Sequence, residues 1–286
     1  MNRTVTNQPD LHPDVLAVFE SIAEEWGEKY FSEFLLPSLQ TQGRAASAKL
    51  EDVVVALQSP FRCLHAFFGH YAFARRGRDR DDLSQLACLA LRRLAAEDTF
   101  TEFLEQSDGD ALWDQFCQVC TERNHKISEQ LNRGVIAGML ELSQEIYRLD
   151  GIGSIAGWAI KGIEKTRRVE PQFMRIVDIR GVGPKTTATF LRDLIAMFEV
   201  EDSLENVDRL YVQPIDRWTR MFAYALIDEF EDREAADWVV AGKLSKYCRW
   251  ANVSGLRFNM GATLFGTKQV RDPQRFHSCL ERLITN

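Results

Sequence analysis

The sequence contains no apolar run of about 18 residues, the length a helix needs to cross a bilayer, so neither a membrane span nor a membrane partner is expected. Its first residues, MNRTVTNQPDLHPD, lack the apolar core of a signal peptide, which points to the cytoplasm. Strand signals are scarce. There is no Asn-Gly pair, and the Asp-Gly pairs at 108–109 and 150–151 lie between helical patterns rather than alternating ones. A Walker A loop is missing. So is a GxGxxG turn, because Gly181-Val182-Gly183 runs into Pro184-Lys185-Thr186 and follows no strand. Cysteine is sparse and scattered, at 63, 88, 117, 120, 248 and 279. Only Cys117 and Cys120 lie close together, with His125 nearby. No second pair completes a zinc set, and two buried thiols on one helical face are the ordinary alternative.

What is present is an ordinary globular composition. Of 286 residues, 45% are hydrophobic and 27% charged, enough for a sizeable core in one large or two modest domains. The net charge is −7, which by itself argues against a polyanionic partner. The charge is unevenly spread, however. Residues 154–192 hold Lys161, Lys165, Arg167, Arg168, Arg175, Arg180, Lys185 and Arg192 against Glu164, Glu170 and Asp178, a local +5 that leaves −12 elsewhere. A basic stripe on an acidic chain fits a polyanion bound at one face, and equally a solvated helix surface.

Nearly every periodic segment reads as helix, with apolar residues three and four apart. Such segments include LHPDVLAVFESIAEEWGEKYFSEFL, LEDVVVALQSPFRCLHAFFGHYAFA and DDLSQLACLALRRLAAEDTFTEFLEQ, with ARRGRDRDD as a charged loop before the last. After the turn SDGD at 107–110 come ALWDQFCQVC, ISEQLNRGVIAGMLELSQEIYRL, SIAGWAIKGIEKT, PQFMRIVDI and PKTTATFLRDLIAMF. VDRLYVQPIDRWTRMFAYALIDEF and EAADWVVAGKLSKYCRWANVSGLRFNMGATLFG complete the set. The expected fold is all-α, built by helix-on-helix packing.

The stretch RGVGPKTTATFLRDLI, residues 180–195, carries the first chemical signal. Glycine supplies the positive φ of a tight turn, and proline suits the first position of a helix, so a helix begins at Pro184. The free N–H groups and dipole of its start form an anion site where a phosphate can sit. Lys185 lies in that positive field, which disfavours its protonated form; a neutral amine is a nucleophile. An ordinary solvated lysine is the competing reading. In YVQPIDRWTRMFAYAL a helix starts after Pro214 with Asp216 at or near its N-cap, where the dipole keeps the carboxylate ionised. A cap and nothing more is the alternative there. An amine and a fixed carboxylate converging at a phosphate site would suit attack on a sugar carbon, the carboxylate stabilising an oxocarbenium-like centre.

Gly181-Val182-Gly183-Pro184-Lys185, followed by Pro214-Ile215-Asp216, resembles the signature of the helix-hairpin-helix DNA glycosylase superfamily, which includes endonuclease III and the 8-oxoguanine DNA glycosylases. That signature is Gly-hydrophobic-Gly-x-Lys with a catalytic aspartate at the start of a later helix. The resemblance covers roughly 106–270 and takes in LRFNMGATLFGTK, which is similar to the family's closing helix. It implies two helical subdomains in residues 106–286, with 1–105 as an added helical region. It makes Lys185 the Schiff-base nucleophile and Asp216 the essential acid of a bifunctional DNA glycosylase and AP lyase. Arg180, Gly181, Val182, Gly183 and Thr186 would hold the DNA backbone. The turn Arg123-Asn124-His125 would enter the duplex as the target base flips out, at an unstacking cost of a few kcal/mol that favours damaged sites. A plain polar turn is the alternative for those three. Trp250, Phe258 and Trp218 are candidates to stack on the flipped base, or members of the core.

The implied partner is double-stranded DNA carrying a damaged or modified base, an oxidised purine in preference, bound by a monomer without a cofactor. Endonuclease III carries a four-cysteine iron–sulfur cluster near its C-terminus, whereas the tail here offers only Cys279, so no cluster is expected. The segment between Lys185 and Asp216 is longer than in endonuclease III, is similar to that of archaeal 8-oxoguanine glycosylases, and includes the acidic stretch EVEDSLENVD. Two other functions compete: a monofunctional glycosylase in which Asp216 activates water, and a non-catalytic DNA-binding module that keeps the hairpin.

Overall fold

The computed structural model describes residues 11–39, 49–73, 80–230 and 234–285. Among these there are helices and turns and no strand, so the chain is all-α. Most of the charged loop ARRGRDRDD lies outside the described residues. The chain forms two compact units, one of residues 35–208 and one that joins 1–34 to 209–286. The compact units therefore do not divide at residue 105–106.

The 35–208 unit contains α2 (Leu50–Leu57), α3 (Pro60–Ala66), α4 (Arg80–Leu94), α5 (Phe100–Gln106), α6 (Ala111–Glu122), α7 (Glu129–Asp150), α8 (Ile155–Thr166), α9 (Glu170–Val177) and α10 (Pro184–Met197). LEDVVVALQSPFRCLHAFF, one periodic run in sequence, is two helices. Pro60 has no N–H to continue the first, and Ser59 caps the second by accepting from the Arg62 amide. Phe67 and Tyr71 pack on Phe190 of α10, with ring centroids 5.2 and 5.1 Å away. Beside them an ion pair is fully enclosed: Arg192 donates to Asp193 Oδ1 at 2.9 and 2.7 Å, and Tyr71 donates to Asp193 Oδ2 at 3.2 Å. With Arg192 at 2% and Asp193 at 0% exposure, neither contributes charge to the surface.

The other unit contains α1 (Pro13–Ser21), α11 (Arg217–Leu226), α12 (Asp237–Trp250), α13 (Gly255–Phe265) and α14 (Phe276–Thr285). Its core centres on Phe222, which meets Phe258, Phe265 and Phe276 edge to face. Phe19 stacks on Phe258 at 4.6 Å. The chain's first helical segment belongs here because it meets α13 backbone to backbone. A Cβ on Gly261 would lie 2.0 Å from the Ile22 carbonyl oxygen, so only glycine admits that approach. The long periodic run 234–266 is again broken, with Ser254 capping α13 through the Arg257 amide at 3.1 Å.

Candidate functional site: a glycine hairpin and a capped aspartate

The α9–α10 pair is a helical hairpin turned by residues 178–183. Gly181 has φ +92°, a conformation that costs any L side chain, while Gly183 is extended at φ −86°, ψ 166°. The Val182 amide closes the turn on the Ile179 carbonyl at 2.9 Å. The turn is seated against α7. A Cβ on Gly134 would lie 2.4 Å from the Arg180 carbonyl oxygen, and one on Gly138 would lie 2.6 Å from the Ile179 side chain. Pro184 occupies the first position of α10, as the sequence implies, and no side chain caps that helix. Its first helical hydrogen bond runs from the Thr187 amide to the Gly183 carbonyl at 3.0 Å. The amides of Lys185 and Thr186 precede that ladder and point out of the helix start.

Lys185 is half-buried, and Arg180 and Gly181 are exposed. Val182 and Thr186 are buried. The first helix of the hairpin is held from a distance. Asp208, at 1% exposure, accepts from the Val169 amide at 2.5 Å, the Glu170 amide at 2.9 Å and Arg168 Nε at 3.0 Å. Sequence reasoning treated 199–208 as an acidic insertion. Its last residue is the N-terminal cap of α9, some forty residues upstream, and nothing local to Asp208 signals that.

The basic stripe is thinner in space than in sequence. Arg168 is paired with Asp208 and Glu170, Arg175 with Glu145, and Arg192 with Asp193 in the core. Asp208, Glu145 and Asp193 fall outside residues 154–192, so a windowed charge count misses them. Lys161, Lys165, Arg167 and Arg180 remain exposed. A cleft of about 860 Å³ runs between α7 and the hairpin. Its arginines 133, 175 and 180 are offset by Asp110, Glu129, Glu141 and Asp178. Arg133 is held by Asp110 at 2.7 Å and Glu129 at 2.8 Å, carboxylates that push its pKa further up.

Asp216 lies in the other unit, at the N-cap of α11. Its Oδ1 accepts from the Thr219 amide at 2.7 Å, and its Oδ2 accepts from Thr263 Oγ1 on α13 at 2.9 Å. The carboxylate is partly exposed with both oxygens engaged, so its direction is set. The preceding stretch of backbone is anchored by Asn259, whose side-chain amide donates to the Pro214 carbonyl at 3.2 Å. Sequence reasoning found the cap and missed Thr263, which lies 47 positions away in sequence.

Arg123, Asn124 and His125 form the turn that ends α6. Asn124 takes the left-handed conformation, φ 52°, that asparagine tolerates better than most residues. The His125 amide closes onto the Cys120 carbonyl at 2.9 Å. Arg123 and Asn124 are exposed and His125 partly so. Next to this turn Cys120 is buried, and desolvation raises its thiol to about 11. Among the described residues, no group of three His, Cys, Asp or Glu side chains is placed to hold a metal ion. Of the aromatic candidates, Phe258 and Trp218 belong to the core; a Cβ on Gly266 would touch the Trp218 ring. Trp250 is half-buried, with the Lys246 ammonium 4.2 Å from its ring centroid.

No protein-family model, curated protein or solved structure matches the chain.

Proposed function

We propose that this chain is a DNA glycosylase with AP-lyase activity, a member of the helix-hairpin-helix group that its Gly181–Lys185 and Pro214–Asp216 segments resemble. The supporting observation is the start of α10: a turn with left-handed Gly181, a helix that no side chain caps, and Lys185 in its first turn. Amides ahead of the helical ladder bind a DNA phosphate without regard to sequence. Lys185 Nζ, as the free amine, attacks the deoxyribose C1′. The C1′–N bond breaks and the base leaves with a proton. Opening of the sugar ring gives an imine, and loss of the C2′ proton then expels the 3′ phosphate and cuts the strand. Asp216 stabilises the positive charge that develops at C1′. This chemistry requires the amine and the carboxylate to serve the same sugar. The substrate class is duplex DNA with a damaged or modified base, an oxidised purine in preference.

Borohydride trapping on a panel of duplexes, each with one lesion, tests the reading. The parent protein forms a covalent adduct on at least one duplex, and Lys185→Gln forms none. A Lys185→Gln variant that traps as well as the parent overturns the lyase assignment. Base release without strand cleavage replaces it with the monofunctional reading, in which Asp216 activates water. That reading draws support from the double hold on the Asp216 carboxylate, which fixes its direction. The non-catalytic module predicts that Asp216→Asn changes nothing measurable.

A further inference from the structure

One face of α7 lies against the hairpin turn. Residues 131, 134, 135 and 138 share that face, being three and four apart. Gly134 meets the Arg180 carbonyl and Gly138 the Ile179 side chain. A Cβ on Gly181 would lie 3.5 Å from the Val135 Cβ and 3.6 Å from the Leu131 carbonyl oxygen. Val135 is buried at 1% exposure, whereas Leu131, one turn nearer the start of α7, is 50% exposed. Exposure thus changes sharply over a single turn, at the edge of the hairpin. Ile127, just ahead of the Ser128 N-cap, is 39% exposed. An apolar residue in that place often packs on the fourth helical residue, but here that residue is Asn132, so no hydrophobic staple accounts for Ile127. Two large apolar side chains therefore meet solvent at the same end of α7, beside the turn that leads into α10. Exposed cations stand next to them, Lys126 beside Ile127 and Arg180 beside Gly181. Glu129, between the two apolar residues, pairs with Arg133 at 2.8 Å.

We infer that Leu131 and Ile127 pack on the deoxyribose edges of a DNA strand whose phosphate lies at the start of α10, which rests on the phosphate-binding reading of that helix start. A DNA backbone alternates charge with hydrocarbon, since each phosphate is flanked by sugars with apolar C–H edges. Amides and cations hold the first kind of surface, and apolar side chains beside them cover the second. Lys126 and Arg180 carry the charge that complements such a backbone. The apolar contact neutralises no phosphate, so it adds affinity without releasing counterions.

Titration of the full chain with an undamaged fluorescent DNA duplex across a salt series tests it. Leu131→Ser and Ile127→Ser are each expected to weaken binding by about five- to tenfold, with the slope of log affinity against log salt unchanged. Leu131→Met fills the same space, keeps affinity within about twofold of the parent and so separates a lost contact from a lost fold. Arg180→Gln supplies the contrast, its slope becoming shallower by about one. An affinity within about twofold of the parent in either serine variant overturns the inference. So does a loss matched by a shallower slope, which makes it electrostatic, and so does a parent that does not bind the duplex. A parent that is dimeric by light scattering and monomeric as Leu131→Ser assigns the apolar pair to a second copy of the chain and also overturns it. Borohydride trapping reads the proposed function separately: a parent that binds with these dependences yet forms no adduct loses the lyase assignment and keeps the contact.

Discussion

The starts of α10 and α11 face the same physical problem and solve it in opposite ways. Each helix begins with amides that its own ladder cannot satisfy. At α11 the protein fills the vacancy itself: Asp216 accepts from the Thr219 amide, and Thr263 holds the other carboxylate oxygen. At α10 the N-cap is Gly183, with no side chain to offer. The start of α9 follows the first pattern at longer range, with Asp208 reaching back to the Val169 and Glu170 amides. A helix start filled from within is a fixed negative charge. One without a side-chain cap carries no such charge of its own. In the proposed function the first orients a carboxylate and the second takes a phosphate.

The sharpest way to break this contrast is Asp216→Asn. Asparagine caps a helix as well as aspartate, so the melting midpoint should hold while base excision falls by about a hundredfold or more. Asp216→Ala should lose both, at about 1 kcal/mol of stability. Equal excision rates for Asp216→Asn and the parent would reduce the residue to a cap. Asp208→Ala should cost about 1–3 kcal/mol in chemical denaturation, because two amides at the start of α9 lose their acceptor. An unchanged midpoint would show that solvent replaces this carboxylate.

Gly183→Asp inverts the comparison by giving the start of α10 a capping carboxylate. The extended backbone there accepts any residue, so stability should rise by a few tenths of a kcal/mol. Duplex affinity should drop about tenfold, as a carboxylate now competes for the phosphate position. Undiminished binding would mean that the hairpin start does not touch DNA. Thr263→Val has the smallest expected effect. It removes one hydrogen bond, worth about 0.5–1.5 kcal/mol, and frees one oxygen of Asp216. Excision in this variant should fall by less than in Asp216→Asn; a fall as large would make Thr263 part of the chemistry.

Much of the hairpin was legible in the sequence because it is built from local rules. Gly181 marks a left-handed turn, Pro184 a first helical position, and Asp216 a cap; each rule involves residues within four positions of one another. Helix breaks were less legible. Apolar periodicity runs unbroken through Ser59-Pro60 and through 251–254, yet capping ends one helix and starts another at both places. The basic stripe was the least reliable signal, since its count of eight cations included Arg192, which is enclosed with Asp193, and Arg168 and Arg175, whose partners lie elsewhere in the chain.

By itself, the amino-acid sequence determined that the chain is helical, where the hairpin turns, and that a lysine and an aspartate each stand at a helix start. These follow from backbone geometry and hydrogen bonds that close within a few residues. Tertiary structure alone decided that Asp208 holds the hairpin, that Thr263 holds Asp216, that residues 11–34 pack with the C-terminal helices, and that Leu131 stands beside Gly181. Those contacts join residues dozens to hundreds of positions apart. Their energy comes from burial and from satisfying polar groups in a packed interior, which no local pattern encodes.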